Sequence, residues 1–232
     1  MINKKAETLD DALDRVSDGD TVLVGGFGLS GIPEKLIDGV CDRGLQNLTV
    51  VNNSSGAGEI GVARMLARGC VGKVICSFPW GGASGVFKDL YAAGKVDLEI
   101  VPQGILAERM RAAGAGLGGV LSPSGLGTEI AEGKATHWVN GEEYLIEPAL
   151  PGDIALIKAQ QADPRGNLIY RLAARNMNPI MAMAAKYTIA EVDEDVELGA
   201  LAPDHIMTPG VFVDRYLVTG RYRPESWEGA WS

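Results

Sequence analysis

Histidine is nearly missing from this chain. Its 232 residues hold two, His137 and His205. Neither has a second histidine or a cysteine at zinc-ligand spacing, so no metal site is expected. A serine–histidine–acid triad is equally unsupported, because no Gly-x-Ser-x-Gly turn occurs. Cysteine is scarce as well. Cys41, Cys70 and Cys76 form no Cys-x-x-Cys pair and are odd in number, which argues against a disulfide framework and for a reducing cytoplasm. Positive charge is in deficit, with 21 Lys and Arg against 30 Asp and Glu, a net charge of −9 and a pI of about 4.8. A basic face for nucleic acid or an anionic membrane is therefore not expected. No apolar run approaches the ~20 residues of a membrane span, and residues 1–10 carry charges where a secretion signal needs an apolar stretch.

What is present suits a folded α/β protein. Hydrophobic residues make up 46% and charged residues 22%, enough for a core in one domain spanning residues 1–232. Glycine is abundant, 31 residues, and it gathers where apolar segments end and helical patterns begin. The periodicity predicts a helix over 6–16, a strand over 21–24, a glycine loop over 25–32 and a helix from Pro33 to about 43. The alternation continues with strands at 48–51, 74–76 and 98–101 and helices at 59–67, 86–93 and, after Pro102-Gln103-Gly104, to 113. Such alternation predicts an open, mostly parallel sheet with helices on both faces. Asn140-Gly141 between apolar segments 136–139 and 142–146 predicts a small β-hairpin excursion. Residues 114–119 read as a glycine-rich loop, and the α/β texture resumes at 154–158, 168–170, 179–185 and 188–192.

Three strand-to-helix loops hold the candidate chemistry. Gly26-Phe27-Gly28-Leu29-Ser30-Gly31 matches the spacing of a dinucleotide-binding turn. That turn also needs an acid after the second strand, where this chain has Asn52 and Asn53. The same glycine spacing recurs at Gly114, Gly116 and Gly119, so the pattern alone carries little. Asn52-Asn53-Ser54-Ser55 can donate to a carboxylate or simply cap a turn. Pro102-Gln103-Gly104 places an amide where it can meet an oxyanion or serve as a polar cap. Glu59 and Glu108 sit on early helical turns, where the helix dipole alone justifies an acid.

The run Asp18-Gly19-Asp20-Thr21-Val22-Leu23-Val24-Gly25-Gly26-Phe27-Gly28-Leu29-Ser30-Gly31-Ile32-Pro33 resembles the first signature of the family I CoA-transferases. Asn52-Asn53, Val101-Pro102-Gln103-Gly104, Gly166-Asn167-Leu168-Ile169-Tyr170-Arg171 and Thr208-Pro209-Gly210-Val211-Phe212-Val213 match further family segments in order. The resemblance implies an A-type chain in an A2B2 assembly, with the nucleophilic glutamate on the B subunit. It implies a ping-pong reaction through an acyl anhydride and a glutamyl-CoA thioester. Succinyl-CoA is the implied donor and a 3-oxo acid the acceptor, 3-oxoadipate first, with acetoacetate or a longer 3-oxo acid as alternatives. No cofactor is implied beyond the CoA thioester, which is a substrate. By motif, Gln103 polarises the reacting carbonyl, Asn52 and Asn53 contact the acid, and Gly25, Gly26, Phe27, Gly28 and Gly31 line the same cleft. Trp80 follows a strand in that row and is expected to wall the acid's far end. The chain departs from relatives over 119–123, at Leu126 and after Pro79, which bears on the acid and not on the reaction class. Trp227 and Trp231 in the tail 222–232 are expected to pack on another subunit. A nicotinamide-dependent oxidoreductase and a non-catalytic acyl-CoA- or sugar-phosphate-binding protein are the rival readings.

Overall fold

The computed structural model describes residues 2–81 and 85–221. The tail tryptophans, and residues 82–84 of the loop after Pro79, lie outside the described residues. Strand β1 (Thr21–Val24) leads through helix α2 (Glu34–Asp42) to β2 (Leu48–Val51), and through α3 (Val62–Ala67) to β3 (Val71–Cys76). Helix α4 (Gly85–Ala92), strand β4 (Asp97–Ile100) and helix α5 (Gln103–Gly114) follow. Helix α1 (Leu9–Ala12) precedes this run. After it come β8 (Gly152–Ala162), β9 (Leu168–Ile169), α6 (Asn178–Ala184), β10 (Ala185–Asp195) and β11 (Arg215–Val218). The main sheet has the order β11-β10-β8-β1-β2-β3-β4, all parallel, with β9 antiparallel on β8.

Successive strand residues point to opposite faces, and the core divides accordingly. Val22, Val24, Leu48 and Val50 pack on one side with Leu13, Leu36, Ile37 and Met65 of the α1–α3 layer. Leu23, Val51 and Ile75 pack on the other with Leu106 and Met110 of α5 and Met181 of α6. Helices therefore cover both faces, as the periodicity predicts. The three cysteines are buried and free. The chain runs from β1 outward to β4, then returns to place β8 on the other side of β1. That reversal is a topological switch point, and ligands in open α/β sheets bind beyond the strands' carboxyl ends at such a point.

Four expectations need correction. The helix expected over 6–16 is one turn, Leu9–Ala12, capped by Thr8. Its first residues are taken by the sheet: Ala6 N donates to Tyr216 O (2.8 Å) and Tyr216 N to Lys4 O (2.9 Å), which covers the edge of β11. Helix α3 begins at Val62 and not at 59, because Gly61 adopts φ +56° and ψ −126°, outside helical space. The glycine-rich segment ends in a strand, β5 (Gly119–Ser122), which pairs with β7 (Glu142–Pro148). With β6 (Thr136–Val139) it turns the expected hairpin into a three-stranded antiparallel sheet. Lastly, β8 and β10 pair along nearly their full length and run well past the short segments that apolar patterning marks.

Candidate functional site

The loops after β1, β2 and β3 and the first residue of α5 surround a cavity of about 650 Å³. It lies at the carboxyl ends of the strands beside the switch point. Each loop is shaped by a specific close contact. Asn178 is fully buried where α6 begins; its Nδ2 donates to Ala174 O (2.8 Å) and Gly31 O (3.2 Å), and its Oδ1 accepts from Lys158 N (3.0 Å). The carboxamide so held lies against Gly25, where an added Cβ would stand 1.9 Å from Asn178 Oδ1. Asn178 Nδ2 also donates to Asn176 Oδ1 (3.3 Å), so the side chain cannot swing away without losing four hydrogen bonds. Gly25→Ala is therefore expected to cost about 1–3 kcal/mol, the usual penalty of overpacking, read as a lowered Tm in thermal unfolding. An unchanged Tm would show that the site yields.

The two asparagines differ in use. Asn52 Nδ2 donates to Val24 O (2.7 Å) and its Oδ1 accepts from Ser54 N (3.0 Å), so its carboxamide staples the β1 and β2 strand ends together. Asn53 lines the cavity, and its Oδ1 is buried and has no partner among the described residues. The backbone carbonyl of Asn53 accepts from Ser77 N and Phe78 N, at 3.1 and 3.0 Å, which fixes the next loop beside it. Ser77 Oγ is likewise buried and unpartnered among the described residues. Unpaired buried polar atoms cost stability; these two belong to residues that line the cavity, and neither atom is itself open to it. Ser77 is not among the residues singled out by motif. Its position, first after β3 in the same row as Asn52 and Gln103, is the signal that finds it.

Gln103 is the first residue of α5 and faces the cavity. Pro102 precedes it, no side chain caps this helix, and the Gln103 carboxamide bonds nothing among the described residues. The reading of Gln103 as a helix cap is thus not what the structure shows. Its place at the helix start also sets it beside amides without intrahelical partners, where developing negative charge is favoured.

Gly25, Gly26, Phe27, Gly28, Asn52, Asn53 and Gln103 come together on this cavity. Gly31 and Trp80 do not line it. Gly31 packs beneath residues 174–178; an added Cβ would stand 2.5 Å from Ala174 O. The Trp80 ring turns to α4, with centroids 5.4 Å from both Phe87 and Tyr91, because buried Phe87 offers it an apolar seat. The expected far wall is instead a turn that motif reading passes over, containing Ala57, Ile60, Gly61 and Val62, with Leu29 and Ile32 also lining the cavity. Among the described residues, none that lines the cavity is titratable. Glu59 is exposed, and Glu108 pairs with Arg111 at 2.6 Å on the surface of α5. His137 and His205 are exposed. Among the described residues no cluster of His, Cys, Asp or Glu is arranged to hold a metal, and no helix is long and apolar enough to cross a membrane.

The sequence profile described as coenzyme A transferase matches residues 6–218. The A chain of the 3-oxoadipate CoA-transferase of Pseudomonas putida is 55% identical over 215 residues, 93% of each chain. The A chain of the probable succinyl-CoA:3-ketoacid coenzyme A transferase of Bacillus subtilis is 48% identical over 203 residues, 88% of this chain and 84% of that one. Among solved structures, an acyl-CoA transferase from E. coli O157:H7, determined as a thioester complex with CoA, superimposes with a TM-score of 0.81 at 22% identity. That match takes in 94% of this chain and 50% of the solved one, so the chain spans about half the length of that structure. At this identity the likeness bears on the fold: an open α/β sheet of the same build.

Proposed function

The chain belongs to the coenzyme A transferase family, and from that premise we propose that it is the A-type half of an enzyme that passes CoA from succinyl-CoA to a 3-oxo acid, 3-oxoadipate first. The observation that carries this reading is the cavity itself. It presents carboxamides and hydroxyls at strand ends and, among the described residues, no titratable side chain. Such a wall can hold a carboxylate and polarise a carbonyl, but it cannot attack one. The nucleophile then comes from a B subunit in an A2B2 assembly, as a glutamate. Exposed Phe27 and Phe78 line the cavity on the loops after β1 and β3 and support a partner seated over its mouth.

The proposed reaction balances in two halves. The partner's glutamate carboxylate attacks the thioester carbonyl of succinyl-CoA; the C–S bond breaks and CoA thiolate leaves, giving a mixed anhydride. The thiolate then attacks the glutamyl carbonyl and releases succinate, leaving a glutamyl-CoA thioester. The 3-oxo acid repeats the steps in reverse order. In each tetrahedral state Gln103 donates a hydrogen bond to the oxygen gaining charge, and the Asn53 carboxamide N–H donates to the acid's carboxylate. Asn52 acts by holding the β1 and β2 loops in place. The enzyme uses no cofactor and works in the cytoplasm.

The acid's far end is the open point. A second carboxylate, as in 3-oxoadipate, needs a cation or several donors when buried. The cavity wall supplies none from this chain, and Lys88 and Arg175 do not line it. The B subunit is therefore expected to supply the cation. The test is kcat/KM for 3-oxoadipate, acetoacetate and 3-oxohexanoate on the co-expressed complex. 3-Oxoadipate is expected to lead. A preference for 3-oxohexanoate above about tenfold, roughly 1.4 kcal/mol, would show that the apolar wall decides the substrate. Failure with every 3-oxo acid would overturn the reading.

A further inference from the structure

Directly behind the apolar wall lies a buried charge cluster that the proposed reaction does not use. Glu34 opens α2 after Pro33 and is 1% exposed. Its Oε1 accepts from the Gly61 N–H at 3.2 Å, and its Oε2 stands 2.8 Å from Arg64 Nη1. Arg64, on α3, also pairs with Asp38 of α2, and its Nε donates to Glu59 O at 3.1 Å. Together Glu34 and Arg64 grip the turn at its Glu59 carbonyl and its Gly61 amide. The turn is tight on its other side too: at Gly56 an added Cβ would stand 2.4 Å from Ala63 N.

The grip is anchored to the sheet. Pro33 gives α2 no side-chain cap, and Glu191 of β10 takes that role: its Oε2 accepts from Lys35 N (2.7 Å) and Leu36 N (3.2 Å). Lys158 of β8 stands 3.2 Å from Glu191 and 2.8 Å from Asp193. The contacts thus run from the middle of the sheet, through the start of α2, to the cavity wall.

We infer that Glu34 is a positioning residue: its carboxylate, tied to the Gly61 amide and to Arg64, fixes the 57–61 turn and with it the shape of the cavity that receives the acid. The inference rests on the cavity being the substrate site. It is supported by what Glu34 costs. Burial pushes its carboxyl up to about 7; Arg64 opposes the rise, Asp38 and Glu191 add to it, and the Gly61 amide opposes it. A carboxyl raised above its unfolded value contributes stability below about 4.5 and loses it as pH rises through about 7. At neutral pH and above, the charged group therefore works against folding even with Arg64 beside it. A group kept at that cost beside a glycine turn of the site fits a role in function.

Three variants of the co-expressed complex test this. Glu34→Leu, which removes the acceptor, is expected to raise KM for the 3-oxo acid about tenfold, the loss of one hydrogen bond, with kcat within about twofold. Glu34→Asp keeps the charge but falls short of Gly61, and it should show the same split. Glu34→Gln keeps an acceptor for the Gly61 N–H and should restore KM to within about threefold. The Tm of Glu34→Gln relative to wild type should rise from pH 5 to pH 8, since only the wild type carries the titrating carboxyl. A tether that served stability alone would not separate KM from Tm in this way. Hydrogen exchange of the 57–61 backbone reads the tether without the reaction: exchange about tenfold faster in Glu34→Asp, and near wild type in Glu34→Gln. Unchanged exchange in Glu34→Asp, or unchanged KM in an assembled complex, overturns the inference. A complex that transfers CoA to no 3-oxo acid while exchange responds as expected instead refutes the transferase reading.

Discussion

Purified without a partner, the chain is expected to transfer no CoA and to form no thioester adduct with succinyl-CoA; both appear when the B subunit is added. The expectation follows from what stands around the cavity. Among the described residues its lining holds no carboxylate, thiol or imidazole. Glu34 lies behind the backbone of Gly61 and is 1% exposed, so no acyl group can reach it. Glu59 and Glu108 stand outside the lining, and Glu108 is paired to Arg111. Cys76 is the buried end of β3, and burial pushes its thiol up to about 12, which leaves almost no thiolate at neutral pH. Loss of a covalent nucleophile costs on the order of a millionfold in rate, far more than the carboxamides here can offset. Mass spectrometry after incubation with succinyl-CoA checks the adduct, and a coupled assay checks turnover. In the complex the adduct should map to a B-subunit glutamate. An adduct on this chain, or robust turnover by the chain alone, would place the nucleophile here and undo the division of labour. An assembled pair that binds CoA without transferring it would favour the non-catalytic alternative.

The parts of this architecture that were legible in the sequence are those fixed within a few residues of chain. Val22 to Val24 and Leu48 to Val51 are apolar almost throughout because both faces of a central parallel strand are buried. Asn140-Gly141 sets its turn by positive φ at both positions, 52° and 85°. Gln103 and Asn53 could be picked out because polar residues directly past strand ends point to one place in an open sheet. What stayed hidden depends on distant partners. Ala6, the first residue of the expected helix, leaves it because β11 offers its N–H a backbone bond. Strand β5 forms because β7 lies beside it, although Gly118 and Gly119 read locally as loop. Trp80 has the right row position for the cavity, but its ring is won by Phe87 and Tyr91 on the next helix. Glu34 looks like an ordinary first-turn acid complementing a helix dipole; only the meeting of α2, α3 and β10 makes it a buried tether. The glycine pattern at 26–31 shows the reverse case. Its local match to a dinucleotide turn is good, yet the strand beyond ends in Asn52 and Asn53, and Asn52 is spent on holding Val24.

Replacing Gln103 with alanine in the assembled complex is expected to lower kcat by about 100- to 1000-fold, or ~2.7–4 kcal/mol, the usual cost of one donor lost from an oxyanion site. The size follows from where the charge appears. The ground-state carbonyl carries little of it, so a hydrogen bond from Gln103 strengthens mainly as the tetrahedral state forms, and kcat and kcat/KM should fall together while KM stays near wild type. Folding offers no rival explanation for such a loss. Gln103 is exposed, caps nothing and has no side-chain partner among the described residues. Its truncation should therefore change stability by no more than about 0.5 kcal/mol, with Tm and sedimentation unaltered. Gln103→Glu sharpens the test, since it keeps nearly the same shape but sets a negative charge where the oxyanion forms. Its loss should exceed that of the alanine variant and shrink as pH falls and the carboxyl is protonated. An assembled Gln103→Ala complex with wild-type kcat would show that this side chain faces the cavity without touching the reacting carbonyl, and the donor would then have to come from Asn53, Ser77 or the partner.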